Sequence, residues 1–342
     1  LKAYQGMSYM VELREVIEQI SVIFCVNINE INVFPHETGV WGNTLYEIKI
    51  PNYHFLYKQF HSFDDVTISY NPPNVSVEKR VKNSVFFQEL ALNAMKCKSI
   101  IIPKIRLTSR NSFVMDYLDG GSSLKLLLDS GEYVVNMNCL GRAIAQFHNI
   151  SKCEMNRLEF NDLLLYKIRI QYNYDLVEGL TSKKKEIYDE LHHELLNLNS
   201  SFCFVHGDLN AKNIIVMESG EFGIIDFEHS GIGKRVYDLA YLVAEFVIAA
   251  IAYPKQRVYR YCIVEFLLAY IEESIPSVFE LTSLWNHVAV QILYRLTGPS
   301  ALVWTSYFSE ISLKKMYDVG MRMLGNDFVL SNILSSLDYF ID

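Results

Sequence analysis

Hydrophobic side chains recur at intervals of three to four residues over long stretches of the chain, which is typical of amphipathic helices that pack one face on a core. In the first third of the chain this spacing predicts two helices, at residues 7–24 and 77–97. Further on it predicts helices at 133–149, 182–199 and from 236 to about 339, with breaks near Pro254, Pro276, Gly298 and Gly325. Most of the last two thirds is therefore expected to be helical.

Runs of β-branched and aromatic residues between the first two helices, and just after the second, predict strands. Residues 44–50 and 53–60 flank a Pro-Asn pair, which favours a hairpin turn. Residues 100–105 and 112–117 flank a polar turn and predict a second hairpin. The expected fold class is α+β, with a small antiparallel sheet and one main helix, followed by a larger, mostly helical part.

Length and composition indicate a globular protein of two lobes, since 342 residues exceed the usual size of one domain. The longest apolar run, Leu239–Tyr253, is interrupted by Glu245 and is shorter than the roughly 18 residues that span a bilayer. We therefore expect a buried helix there and no membrane association. Six cysteines without a Cys-x-x-Cys pair predict neither a zinc site nor a redox motif, and they favour a cytoplasmic location.

Charge is spread unevenly along the chain. Residues 1–115 carry 12 Lys and Arg against 10 Asp and Glu, whereas residues 116–342 carry 19 against 29. The formal net charge of −8 does not support a nucleic-acid partner, and the acidic second part favours a cationic small molecule over an anionic one.

The densest concentration of reactive side chains lies between apolar strands, in the segments 205–215 and 223–228. Asp208 and Asn213 are five residues apart on a predicted loop, and Asp226 follows thirteen residues later at a strand end. Three oxygen donors brought together in this way suit a hard cation such as Mg²⁺ that bridges nucleotide phosphates.

These segments resemble the His-Gly-Asp-x-x-x-x-Asn and Ile-Asp-Phe/Trp-Glu motifs of the aminoglycoside phosphotransferase and choline kinase superfamily. Tyr237–Ala240 is similar to its Asp-Leu-Ala element. The resemblance implies a two-lobed, protein-kinase-like fold, with a nucleotide-binding lobe at 1–115, a catalytic and acceptor-binding lobe at 116–342, and a hinge at about 114–118.

The resemblance also implies roles for the loop residues. Asp208 would be the catalytic base, and Asn213 and Asp226 would bind magnesium. His206 would support the loop rather than react. Lys212 stands where relatives often have part of His-Pro-Gly; either it contacts the transferring phosphoryl group or it is a solvated loop lysine.

The resemblance also implies a nucleotide site in the first lobe. Gly39, Gly42 and Asn43 resemble the phosphate-covering turn, although an ordinary hairpin is an alternative. Lys58, a lone charge in an apolar strand, is the candidate phosphate-binding lysine, with Lys49 as its rival.

A helix glutamate and a hinge complete the expected nucleotide site. Glu89 fits the ion-pair partner of the lysine better than Glu78 does, because it lies within the apolar face of the predicted helix. Backbone groups of Asp116 and Leu118 would bind the adenine edge, with Met115 packed on the ring. His148, at the end of the helix before the catalytic loop, is expected to be structural.

The implied activity is transfer of the γ-phosphate of ATP or GTP, with Mg²⁺, to a hydroxyl of a small molecule. The sequence does not distinguish four classes of acceptor: aminoglycosides, amino alcohols, sugars and hydroxy amino acids. The alternative is a catalytically inactive kinase-fold protein that binds nucleotide or a partner. Four aromatic residues could line a pocket for an amine by cation–π contact, with acidic neighbours such as Glu228 or Glu310: Trp285, Tyr294, Trp304 and Tyr307. The alternative is that these aromatics pack in the core.

Overall fold

Seven of the eleven strands in the described part of the chain lie within the first 123 residues, and eight of its ten α-helices follow them. The computed structural model describes residues 2–36, 43–62, 75–132, 136–150, 170, 173–174, 182–197, 202–253, 257–274, 281–298 and 307–342. Helices in this part of the chain are α1 (Lys2–Ile23), α2 (Val77–Ala94), α3 (Leu124–Ser130), α4 (Met137–His148), α5 (Ser182–Leu196), α6 (Arg235–Ala252), α7 (Val258–Glu273), α8 (Leu284–Thr297), α9 (Glu310–Met323) and α10 (Ile333–Ile341). Strands are β1 (Asn32–Pro35), β2 (Thr44–Ile50), β3 (Tyr53–Gln59), β4 (Ile100–Ile101), β5 (Ile105–Thr108), β6 (Ser112–Asp116), β7 (Gly121–Ser123), β8 (Cys203–Val205), β9 (Ile214–Met217), β10 (Phe222–Ile224) and β11 (Gly231–Gly233).

The first lobe is built on an antiparallel sheet with the strand order β1-β2-β3-β6-β5. Alternation of side chains along β3 gives the sheet two different faces. Phe55 and Tyr57 pack with α1 residues such as Val16. Leu56 belongs to the cluster on the α2 side, with Phe60. Lys58 shares the face of Leu56, so β3 places one charged side chain between the sheet and the second lobe.

Both hairpin turns lie where the sequence predicts them, but one strand does not. Ile50 pairs with Tyr53 across the first turn, and Thr108 pairs with Phe113 across the second. The prediction that residues 100–105 form a single strand of the second hairpin is wrong. Ile100 instead pairs in parallel with Phe222 of β10, and only β5 belongs to the hairpin. Pro103 separates the two pieces and has no N–H to donate to a ladder.

The second lobe surrounds a four-stranded sheet, β4-β10-β9-β7, and a two-stranded sheet, β11-β8, with helices. Helix α6 is buried over almost its whole length, which confirms the prediction for this apolar run. Within the described ranges, none of the helices combines the length and the apolar character that crossing a bilayer requires.

Close packing of α4 on α7 fixes the base of this lobe. A Cβ at Gly141 of α4 would lie 2.3 Å from the carbonyl oxygen of Phe266, so the two helices touch through backbone. His148, the last residue of α4, is thereby held deep in the lobe, 2 % exposed.

Candidate active site

The loop after β8 holds Asp208 through two amide side chains. Asn210 Nδ2 donates to Asp208 Oδ1 at 3.0 Å, and Asn213 Nδ2 donates to Asp208 Oδ2 at 3.3 Å and to its backbone oxygen at 2.9 Å. Asn210 Oδ1 in turn accepts from the backbone N–H groups of Lys212 and Asn213, so Asn210 caps the short 3₁₀ turn Ala211–Asn213. Each carboxylate oxygen of Asp208 therefore has a fixed donor, which sets its orientation.

Gly207 and His206 give this loop its path. Gly207 has φ +76°, and a Cβ there would lie 2.1 Å from the carbonyl oxygen of His229, so glycine is required. His206 Nε2 donates to the carbonyl of Ile225 at 3.0 Å, which leaves Nδ1 to accept from the N–H of Asp208 at 3.3 Å. The imidazole thus ties the loop to the strand that leads to Asp226, as expected of a supporting residue.

Asp226 and Asn213 meet because the N–H of Ile225 donates to the carbonyl of Asn213 at 3.0 Å. Asp226 has φ +69°, and its side chain is 30 % exposed. The amide nitrogen of Asn213 is used by Asp208, so its Oδ1 remains as an acceptor. A carboxylate and an amide oxygen on adjoining backbone are donors that Mg²⁺ accepts, and these residues fit that ion.

Lys58 reaches this pair of residues across the cleft between the lobes. Its Nζ lies 2.5 Å from Asp226 Oδ1 and 3.1 Å from Glu228 Oε2. Burial alone lowers the pKa of Lys58, but the charges of the two carboxylates outweigh burial and raise it above its usual value. Lys49, the rival candidate, lies half-exposed on β2 beside Glu47.

The predicted ion pair of Lys58 with Glu89 is wrong. Glu89 lies on the exposed side of α2, because the buried side of that helix is formed by residues such as Arg80, Ser84 and Phe87. Glu228 is the second carboxylate beside Lys58 instead. The predicted inward side of the helix is wrong by one residue, because Gln88 is buried there and Glu89 is exposed.

Glu228 is 2 % exposed and sits among several donors. Arg80 Nη2 lies 3.5 Å from Glu228 Oε2, and Asn43 Nδ2 donates to the same oxygen at 3.0 Å. Burial alone raises the pKa of Glu228, but the charges of Lys58 and Arg80 offset it and hold the pKa well below its usual range. Asn43 is thus bonded to Glu228, while Gly39 and Gly42 of the predicted phosphate turn lie outside the described residues.

The predicted hinge leaves β6 at the edge of the cleft. The N–H of Tyr117 donates to the carbonyl of His54 of β3 at 3.0 Å, and the side chain of Leu118 lies against Gly223 of β10. The carboxylate of Asp116 is held by Arg106 at 2.7 and 2.8 Å. Met115 is buried, and its sulfur lies 3.4 Å from Nε2 of Gln88 of α2.

Asp238 holds the catalytic loop from below, a role that sequence reasoning missed. Its Oδ2 accepts the N–H of His206 at 2.6 Å, and its Oδ1 accepts the N–H of Gly207 at 2.9 Å. His148 Nε2 lies 3.1 Å from Oδ2, and Nδ1 is bonded to Tyr270. A single aspartate at the start of a long apolar helix is the signal that identifies such a buried acceptor.

A small cavity lies beside the loop, between the second-lobe helices. Lys125, Glu245, Arg295 and Tyr307 line it, together with apolar side chains. Lys212 as a whole residue is exposed, but nearby protein atoms desolvate its ammonium group and lower its pKa, opposed by the charge of Glu245. Helix α3, which carries Lys125, packs against the 3₁₀ turn Ala211–Asn213, so the cavity lies close to the loop that carries Asp208.

The predicted aromatic pocket is only partly present here. Trp285 is fully buried against Phe328 and Phe340, so it is a core residue. Tyr294 is also buried, and Trp304 lies outside the described residues. Of the four aromatics, Tyr307 lines the cavity, with its ring 4.7 Å from Lys125 Nζ.

The sequence model of the phosphotransferase enzyme family matches residues 106–267, which include the loop with Asp208, Asp226 and Asp238. This segment, close to half of the chain, is similar to the phosphotransferase enzyme family, as its motifs imply. The match supports a phosphotransferase that acts on an alcohol group. No curated protein is significantly similar to it in sequence.

Solved structures of the same fold align with this phosphotransferase over most of its length. A choline kinase from Cryptosporidium parvum Iowa II has a TM-score of 0.52 and 13% identity, covering 96% of this chain and 94% of that chain. A macrolide 2'-phosphotransferase type I has a TM-score of 0.51 and 11% identity, covering 90% and 96%. At these identities the likeness shows the fold, which is the predicted two-lobed, protein-kinase-like one.

Proposed function

We propose that this phosphotransferase moves the γ-phosphate of ATP or GTP, with Mg²⁺, to a hydroxyl of a small acceptor that bears an amine. The observation that carries the proposal is the convergence of Asp208, Asn213, Asp226 and Lys58 on one cleft. Residues 1–115 then serve as the nucleotide lobe and 116–342 as the catalytic and acceptor lobe, hinged at 114–118.

Each of these residues has a task that follows from its surroundings. Asp208 accepts the proton of the acceptor hydroxyl, since its carboxylate is the oriented base of the loop. Asn213 Oδ1 and Asp226 bind Mg²⁺, which supplies charge neutralisation at the phosphates when it is bound. Lys58 Nζ binds phosphate oxygens. Transfer then rests on alignment and charge neutralisation, because the phosphoryl transition state requires little covalent help from the protein.

The cavity lined by Lys125, Glu245, Arg295 and Tyr307 is a suitable floor for the acceptor site. Arg295 Nε and Nη2 both donate to Oε1 of Glu245, at 3.0 and 2.6 Å, so Arg295 leaves Oε2 to other partners. That oxygen can accept a hydrogen bond from an ammonium group of the acceptor. Lys125 gives this floor a positive charge, whereas the N–H groups of Arg295 are bonded to Glu245, Gln291 and Tyr241. An amino sugar or a hydroxy amino acid therefore fits this floor better than a simple quaternary amine does.

The test is a nucleotide-consumption screen with ATP and GTP over aminoglycosides, amino alcohols, sugars and hydroxy amino acids, run beside thermal unfolding with each Mg-nucleotide. We expect a rise in Tm with Mg-nucleotide and turnover with an amine-bearing acceptor. Asp208→Asn should lower the turnover rate at least about a hundredfold, while the rise in Tm with Mg-nucleotide stays. A rise in Tm without turnover on any acceptor would favour the inactive binding protein, and no response at all would contradict the nucleotide site.

A further inference from the structure

Lys58 has carboxylate partners from the loop after β10 and a cation facing it from α2. Asp226 and Glu228 supply the carboxylates, at 2.5 and 3.1 Å. Arg80, in the first turns of α2, lies near the same ring of Phe60 as Lys58: the ring centroid is 4.9 Å from Lys58 Nζ and 5.2 Å from the Arg80 guanidinium carbon. The helix thus contributes a positive charge at the point where the superfamily resemblance implies a glutamate.

Arg80 is itself fixed by several partners. Its Nη1 donates to the carbonyl of His61 at 2.7 Å, and its Nη2 donates to Asn43 Oδ1 at 3.2 Å and lies 3.5 Å from Glu228 Oε2. The residue is only 1 % exposed. A buried guanidinium with this many contacts has one orientation, and it passes that orientation to the Glu228 carboxylate.

Helix α2 holds the backbone of the same loop as well. Asn83, three residues after Arg80, donates through Nδ2 to the carbonyl oxygens of Glu228 at 3.2 Å and of Ser230 at 2.8 Å. Both the side chain and the main chain of Glu228 are therefore bonded to one helix. Any displacement of α2 relative to the second lobe moves Glu228 with it.

We infer that Glu228, held in place by Arg80, performs the task of the missing helix glutamate and keeps Lys58 aimed at the nucleotide phosphates. The reason lies in the other partner, Asp226. On the proposed function, on which this inference rests, Asp226 binds the cation, and its charge is then shared with Mg²⁺. Glu228 is the carboxylate that stays with Lys58, and Arg80 is a positioning residue that acts through it.

The experiment compares KM for Mg-nucleotide, KM for acceptor and kcat in Arg80→Met, Arg80→Lys, Glu228→Gln and Glu89→Gln. Arg80→Met and Glu228→Gln should each raise KM for nucleotide about tenfold or more and leave KM for acceptor within about twofold. Arg80→Lys should recover most of the loss, because the positive charge beside Glu228 returns. Lys82→Met is the matched control, since it removes one charge from the exposed side of the same helix.

Glu89→Gln distinguishes this arrangement from a helix-glutamate pair that forms only when nucleotide binds. We expect wild-type nucleotide KM for it, and an increase equal to that of Glu228→Gln would overturn the inference. An unchanged nucleotide KM in Glu228→Gln, which is close to isosteric and is expected to fold, would overturn it as well. If the wild-type protein neither binds nor consumes nucleotide, the proposed function fails first, whereas a functional wild type with insensitive variants rejects the inference alone.

Discussion

Asp238 Oδ2 accepts the backbone N–H of His206 at 2.6 Å, so a helix of the second lobe fixes the start of the loop that carries Asp208. Its other oxygen accepts the N–H of Gly207 at 2.9 Å. Asp238 and His148 beneath it are both fully buried. The position of the candidate base therefore depends on a carboxylate thirty residues further along the chain, which bonds the two residues that precede Asp208.

Replacement of Asp238 by Asn should damage both stability and turnover. An amide offers one acceptor oxygen where the carboxylate offers two, so one backbone N–H of the loop loses its partner. We expect the free energy of unfolding to fall by about 1–3 kcal/mol. We also expect kcat to fall at least about tenfold, with a smaller change in KM for nucleotide. Asp318→Asn, on the exposed side of α9, is the control, and equal kcat values in the two variants would contradict the anchoring role.

Gly207 and Gly325 form a matched pair for a second prediction. Both have positive φ, at +76° and +98°, but a Cβ at Gly207 would meet the backbone of His229, whereas at Gly325 it would meet only side-chain ends at 3.4 Å or more. Gly325→Ala should therefore cost about 1–2 kcal/mol through backbone conformation alone. Gly207→Ala should cost at least about 1 kcal/mol more, because the clash adds to it.

Chemical denaturation of both variants measures these costs, and the turnover rate shows whether the loop has moved. The Gly207 variant should lose most of its kcat, while the Gly325 variant keeps it. Similar unfolding free energies for the two proteins would mean that the loop relaxes away from His229 at little cost.

The titration of His148 gives a pH prediction. Burial lowers the pKa of His148, the hydrogen bond and the charge of Asp238 oppose this, and the charges of Arg235 and His206 lower it further. Tyr270 bonds the other ring nitrogen. Because the folded pKa lies below that of the unfolded chain, the unfolded state takes up the proton first as the pH falls through about 6.5.

Stability should therefore decline from about pH 7 towards pH 5, with a slope of at most about 1.4 kcal/mol per pH unit from this residue. His148→Gln removes the titrating group and should flatten that limb of the curve. Urea unfolding at half-unit pH steps measures both proteins. Parallel curves for the two would show that His148 does not titrate between folded and unfolded states.

Several parts of the fold could be predicted because the information is local. The hairpin around residues 51–52 follows from strand-forming runs on either side of a turn pair, and the buried character of α6 follows from its composition. The spacing of Asp208, Asn213 and Asp226 predicts that their side chains converge, since only a short hairpin separates Asn213 from Asp226. These features depend on residues close in sequence.

The partner of Lys58 could not be predicted in this way. Helical spacing says that α2 has an apolar side, but it does not fix which of two neighbouring residues, Gln88 or Glu89, faces inward. The contact with Glu228 spans 170 residues and depends on how the lobes meet. Ile100 shows the same limit, because a strand-forming residue carries no information about which of two sheets it joins.

Trp285 and Tyr307 separate packing from acceptor binding in a last prediction. Trp285 is fully buried against Phe328 and Phe340, so Trp285→Ala should lower the free energy of unfolding by about 3–5 kcal/mol through the cavity it leaves. Its KM for acceptor should stay at the wild-type value at temperatures where it is folded. Tyr307→Phe deletes only the hydroxyl that bonds Lys125, and should cost about 0.5–1.5 kcal/mol.

That small change should still raise KM for the acceptor severalfold, since Lys125 loses a partner that fixes it at the cavity. Denaturation curves and acceptor titrations at saturating nucleotide measure the two effects in each variant. A selective increase in acceptor KM for Trp285→Ala, with none for Tyr307→Phe, would move the acceptor site away from the Lys125 cavity and towards the packed side of α8.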